Sequence, residues 1–97
     1  MFDKKTKSYT DLLGKTNRIV EGTRIKGNIY SVADFRLDGE LTGNFQCEGK
    51  IVIGPAGIVV GDIVCKNADI EGRFSGKIQV AELLNVKSTA NIYGEVA

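Results

Sequence analysis

The chain has 97 residues, with 13 Lys and Arg against 12 Asp and Glu and a formal net charge of +1, a balance that gives no electrostatic reason to expect a nucleic-acid partner. It has no His and no Trp and only two Cys, so the commonest general base is missing and the core of this single small domain has to be aliphatic. No apolar run is long enough for a signal peptide or a transmembrane helix, which places the expected chain in the cytoplasm.

Residues 1–16 read as a flexible N-terminal tail and residues 17–97 as one repeat domain. The first twenty residues hold Lys4, Lys5, Lys7, Lys15 and Arg18 against Asp3 and Asp11, with little alternation before Ile19. A solubilising terminus is the plain reading. The second reading is membrane contact: the apolar tip Met1-Phe2 inserts while Lys4, Lys5 and Lys7 sit near anionic lipid phosphates, each worth about 1 kcal/mol. Tyr9, Leu12 and Leu13 form an apolar patch that could dock on the first repeat or on a partner.

From Ile25 onward one unit recurs, apolar-x-Gly-x-apolar, centred on Gly27, Gly43, Gly61, Gly76 and Gly94. These glycines are 16, 18, 15 and 18 residues apart, a period that marks a stacked repeat architecture. Ile25, Leu41, Val59, Phe74 and Ile92 precede them by two positions, and Ile29, Phe45, Ile63, Ile78 and Val96 follow by two. Strict alternation is a strand signal with one face buried. A second apolar pair leads each later unit: Phe35 and Leu37, Ile51 and Ile53, Ala68 and Ile70, Leu84 and Val86. Each repeat therefore holds at least two short strands joined by tight turns. The predicted fold is an all-β, parallel β-helix (solenoid) of about five short coils with roughly three faces each.

The uneven spacing falls at one corner. Leu37 to Leu41 and Ile70 to Phe74 are steps of four, whereas Ile53 to Val59 and Val86 to Ile92 are steps of six. The extra residues lie in Gly54-Pro55-Ala56-Gly57 and Lys87-Ser88-Thr89-Ala90; the short corners use Gly39 and Gly72, where a positive φ is expected. Cys47 and Cys65 each lie four residues after a unit glycine and point inward by parity, with Ser31 and Val80 as counterparts. They read as small reduced core residues; a disulfide between neighbouring coils is geometrically conceivable, and with no third thiol nearby a metal site is not expected. The outward acids Asp38, Glu40, Asp62, Asp69, Glu71 and Glu95 read as a solvated face. No Lys-Ser/Thr follows Gly54-Pro55-Ala56-Gly57 as a P-loop requires, so neither nucleotide nor any other cofactor is expected. Val60 and Val64 flank Gly61 at outward parity, Val52 is a third member of a possible contact stripe, and Tyr30 and Tyr93 read as equivalent outward positions in the first and last coils. Scattered exposed apolar residues are the favoured account of this set.

An open solenoid leaves an apolar layer and unpaired strand edges at each end, which must be capped or must bind something. The candidate assembly ends are Ile19, Ile25 and Ile29 in the first coil and Leu84, Val86, Ile92 and Val96 in the last.

Ile53-Gly54-Pro55-Ala56-Gly57, Ala68-Asp69-Ile70-Glu71-Gly72, Glu21-Gly22-Thr23-Arg24-Ile25-Lys26-Gly27-Asn28-Ile29 and Ala90-Asn91-Ile92-Tyr93-Gly94-Glu95-Val96, in this order and spacing, resemble the bactofilin family over residues 19–96. The resemblance implies a right-handed, triangular β-helix. It also implies a bacterial cytoskeletal protein that forms nucleotide-independent filaments by end-to-end stacking and serves cell shape, polarity or the placement of cell-wall enzymes. Many members begin with a membrane-targeting tail much like Met1-Phe2-x-Lys4. Bactofilins usually continue into a further coil and a C-terminal tail, whereas this chain stops at Ala97, as a truncated or a short member would. The expected protein is a non-enzymatic scaffold whose partners are copies of itself, with the membrane and cell-wall synthesis or hydrolysis proteins as further candidates. The rival expectation is a non-polymerising adaptor that presents its sides and tail to a cell-wall or membrane partner.

Overall fold

Among residues 16–96 the alternation around each glycine is carried into ten strands. A computed structural model describes residues 16–96. Strand β1 spans Thr16–Ile19, β2 Arg24–Lys26, β3 Ile29–Ser31, β4 Asp34–Leu37, β5 Glu40–Thr42, β6 Phe45–Cys47, β7 Lys50–Ile53, β8 Ile58–Ile70, β9 Arg73–Val86 and β10 Asn91–Val96. Every pairing is parallel and joins a strand to the one a coil further on. No helix occurs among the described residues. The chain is a parallel β-solenoid of five coils, over 16–31, 34–47, 50–65, 67–80 and 83–96.

Each coil has three faces, and equivalent residues stack in columns. The first face carries Ile19, Leu37, Ile53, Ile70 and Val86, beside Asn17, Phe35, Ile51, Ala68 and Leu84. The second carries Ile25, Leu41, Val59, Phe74 and Ile92. The third carries Ile29, Phe45, Ile63, Ile78 and Val96, beside Ser31, Cys47, Cys65 and Val80. Layers keep their volume by exchange: small Ala68 shares a coil with Phe74, and coil 2 holds Phe35 and Phe45 edge-to-face with centroids 4.7 Å apart. Such a contact adds about 1 kcal/mol to the burial of two rings.

Two of the three corners of each coil are built around glycine or tight turns. At the glycine corner, β8 and β9 run through without a break, with Gly61 paired to Gly76, so the chain there is longer-stranded than the two-strand repeat expected from sequence. Gly61 has φ +140, and a Cβ on it would strike the Gly43 carbonyl oxygen. Glycine is thus required twice, for the left-handed backbone and for the approach of successive coils. At the other corner the six-residue versions close a β-turn, with Thr23 N–H to Val20 O, Gly57 N–H to Gly54 O and Ala90 N–H to Lys87 O at 3.2, 2.8 and 3.0 Å.

The four-residue corners correct an expectation. Gly39 and Gly72 do not have positive φ. They are glycines because the preceding turn folds over them: a Cβ on Gly39 would lie 2.5 Å from Thr23 O, and one on Gly72 would meet Gly54 O and Gly57 O. Of two surface expectations, one stands and one changes. Val52, Val60 and Val64 lie on the first, second and third faces respectively, so they form no single stripe. Tyr30 stacks with Gln46 on the third face and Tyr93 with Ser75 on the second, so they are not equivalent.

Candidate assembly ends

Burial separates the middle of the stack from its two faces. The inward side chains of coils 2 to 4 are buried, including Leu37, Leu41, Ile53, Val59, Ile70, Phe74 and Ile78, except Val80 at the end of coil 4, which is half-buried. In coil 1, Ile19 packs against the core at 8% exposure, while Ile25 and Ile29 are half-buried. In coil 5, Leu84 and Ile92 are half-buried, and Val86 and Val96 are 51% and 47% exposed. The structure thus gathers the seven sequence-predicted residues into two layers, one at each face of the stack. The membrane-contact candidates Met1, Phe2, Lys4, Lys5 and Lys7 lie outside the described residues.

The backbone repeats this division. Among the described residues β1, β2 and β3 each pair with one strand, β4, β5 and β6 respectively, and β10 pairs with β9 alone. Residues 83–86 of β9 likewise pair only with β8. Both faces therefore present a parallel-strand edge beside a half-open apolar layer, the geometry that templates further pairing.

One residue of the coil-1 layer escaped the sequence reading. Asn17 occupies the inward column that Phe35, Ile51, Ala68 and Leu84 fill in later coils. Its Nδ2 donates to Ser31 Oγ at 3.1 Å, and Ser31 Oγ donates to Ala33 O at 2.9 Å. A polar bridge therefore crosses part of the coil-1 layer. The signal was present in the sequence as an Asn two residues before Ile19, where each later coil has an apolar residue.

Outward side chains hold neighbouring coils together. Lys50 Nζ lies 2.9 Å from Asp69 Oδ2, and Asn85 Nδ2 donates to Asp69 Oδ1 at 2.9 Å, so one carboxylate ties coils 3, 4 and 5. Burial pushes the Asp69 carboxyl up, but the hydrogen bonds from Lys50 and Asn85 and the positive charges of Lys50 and Lys87 outweigh it and hold the group below its ordinary value. Arg24 and Glu40 pair across coils 1 and 2 at 3.7 Å, largely in solvent. Among the described residues no three His, Cys, Asp or Glu side chains gather as a metal site would need. No helix among them is long and apolar enough to cross a membrane.

Stacked coils paired on both sides and an open edge at each face define a class: a parallel β-solenoid of short coils. The family described as "Bactofilin: Polymer-forming cytoskeletal" matches residues 17–97. The chain belongs to the bactofilin family, a family of polymer-forming cytoskeletal proteins. It is similar to bactofilin BacO of Myxococcus xanthus (strain DK1622), at 25% identity over 72 residues that cover 74% of this chain and 57% of the relative. The chain thus spans a little over half the length of that curated relative. No solved structure matches it.

Proposed function

We propose that this chain is a cytoskeletal building block that assembles with its own copies, without nucleotide, by stacking the layers of coil 1 and coil 5. The observation that carries the reading is the pair of half-open apolar layers, each bounded by unpaired strand edges, on either side of three coils whose inward side chains, Val80 apart, are buried. The driving force is burial of Ile25, Ile29, Leu84, Val86, Ile92 and Val96 together with new main-chain pairing. The resulting filament serves cell shape or the placement of cell-wall enzymes. Met1, Phe2, Lys4, Lys5 and Lys7 supply a weak contact with the anionic inner face of the cytoplasmic membrane, multiplied by the number of copies in the polymer.

The test is pelleting and negative-stain electron microscopy of the purified chain without nucleotide, beside Ile92→Arg and an outward control, Gln79→Arg. Filaments from wild type and control but not from folded Ile92→Arg are expected. Wild-type assembly by folded Ile92→Arg overturns end stacking. A small oligomer of fixed size from the wild type replaces the polymer with an adaptor. Flotation with phosphatidylglycerol vesicles tests the tail: Lys4, Lys5 and Lys7 changed together to Glu should abolish co-flotation.

A further inference from the structure

We propose that Cys47 and Cys65 are a built-in redox pair, whose oxidation to a disulfide staples coil 2 to coil 3 inside the solenoid. Both thiols are free in the structure. The ladder pairs Phe45 with Ile63 and Gln46 with Val64 and ends there; Cys47 and Cys65 are the next residue on each of these adjacent parallel strands. Neighbouring strands lie about 4.8 Å apart, inside the range of Cα separations, roughly 4.4–6.8 Å, that a disulfide spans. Both side chains point into the same column, at 3% and 4% exposure. Ser31 precedes them in that column and Val80 follows, and the Cys47 thiol donates to Ala33 O at 3.3 Å, a contact that the disulfide replaces.

The column also sets the rate. Burial raises both thiols above their ordinary range, Cys65 to about 12, with the nearby Cys47 adding to the effect; at Cys47 the N–H of Gly49, 3.4 Å from Sγ, works the other way. Little thiolate forms near neutral pH, so the pair stays reduced under mild conditions. Hydrogen peroxide supplies the balance. One thiolate attacks the peroxide oxygen and becomes a sulfenic acid, releasing one water. The second thiol displaces the sulfenic oxygen, the S–S bond forms, and a second water leaves. The peroxide is reduced by two electrons and the two thiols are oxidised by two.

The experiment treats the folded 97-residue chain with hydrogen peroxide at pH 7 and pH 9 and reads free thiols, intact mass, non-reducing electrophoresis and thermal melting. The expected result is loss of both thiols with the mass of two hydrogens, faster at pH 9, in a species that remains one chain. The oxidised form should melt higher, in line with a shift on the order of a hundredfold in the unfolding equilibrium for a loop of this length. Cys47→Ser and Cys65→Ser should each show neither the two-hydrogen loss nor the rise in melting temperature. Persistence of both thiols in the folded wild type, a bridge between two chains, or an oxidised form that melts lower overturns the proposal. These readouts use no polymer, so they stand apart from the test of end stacking.

Discussion

The coil-1 and coil-5 faces are cut from the same columns, yet their chemistry differs. At coil 1 the inward position of the first face is Asn17, tied to Ser31, and the rim carries Arg18, Arg24 and Lys26 against Glu21. At coil 5 the corresponding inward residue is Leu84, and Val86 and Val96 are about half exposed, while outward apolar residues are exposed at both ends, Val20 and Tyr30 at coil 1 and Leu83 and Tyr93 at coil 5. A layer with a satisfied polar bridge is a stable surface in water; a layer of aliphatic side chains is not. The difference teaches that the same strand pairing can end in one face tolerant of solvent and another that gains more by being covered.

The contrast can be broken or sharpened by substitution. The largest effect is expected from the glycine column. A Cβ on Gly94 would strike the Gly76 carbonyl oxygen, whereas one on Gly27 meets nothing within 4 Å, though both backbones are left-handed at φ +132 and +134. Gly94→Ala should therefore cost about 3 kcal/mol and Gly27→Ala about 1 kcal/mol in urea unfolding. Equal costs would show that backbone strain alone governs the column.

Next in size is Val86→Arg. This side chain is already half exposed, so the fold should tolerate the change, while the pelleted fraction drops more than roughly tenfold because a charge would enter the covered layer. Asn17→Leu should act in the opposite direction at the other face, lowering the concentration needed for assembly by roughly two- to fivefold as apolar area replaces the bridge. An unchanged threshold would remove coil 1 from the contact.

The smallest effect is electrostatic and lies on the outside of coils 3 to 5. The Asp69 carboxyl is held below its ordinary value, so its contribution to stability is present above the ordinary aspartate range and is lost as pH falls through the lowered value. Asp69→Asn should cost about 1 kcal/mol at pH 7 and flatten that acid limb in denaturant titrations between pH 6 and about pH 2.

Much of this architecture was legible because stacking converts sequence spacing into columns. The residues two before and two after each glycine are the ones that line faces two and three, and the family resemblance over residues 19–96 agrees with the match over 17–97. The inward direction of Cys47 and Cys65 followed from parity, and both are buried. Parity says whether a side chain points in or out but not which face carries it, which is why parity alone leaves a stripe of Val52, Val60 and Val64 open as the less favoured reading, whereas they lie on three faces. It also cannot report contacts between coils. Gly39 and Gly72 read as turn residues with unusual φ, whereas the carbonyls of the preceding coil exclude a side chain there. Asn17 was overlooked because it precedes the first complete repeat unit.

The corners leave one more consequence. Their lengths run six, four, six, four, six along the chain, and each glycine-bearing short corner, Gly39 or Gly72, nests against the turn of the coil before it. The module that can be gained or lost without disturbing this nesting is therefore a pair of coils rather than one. A lengthening of such a solenoid by duplication preserves every nested contact only in even steps, so the molecule grows, in evolution or by design, with a stride of two.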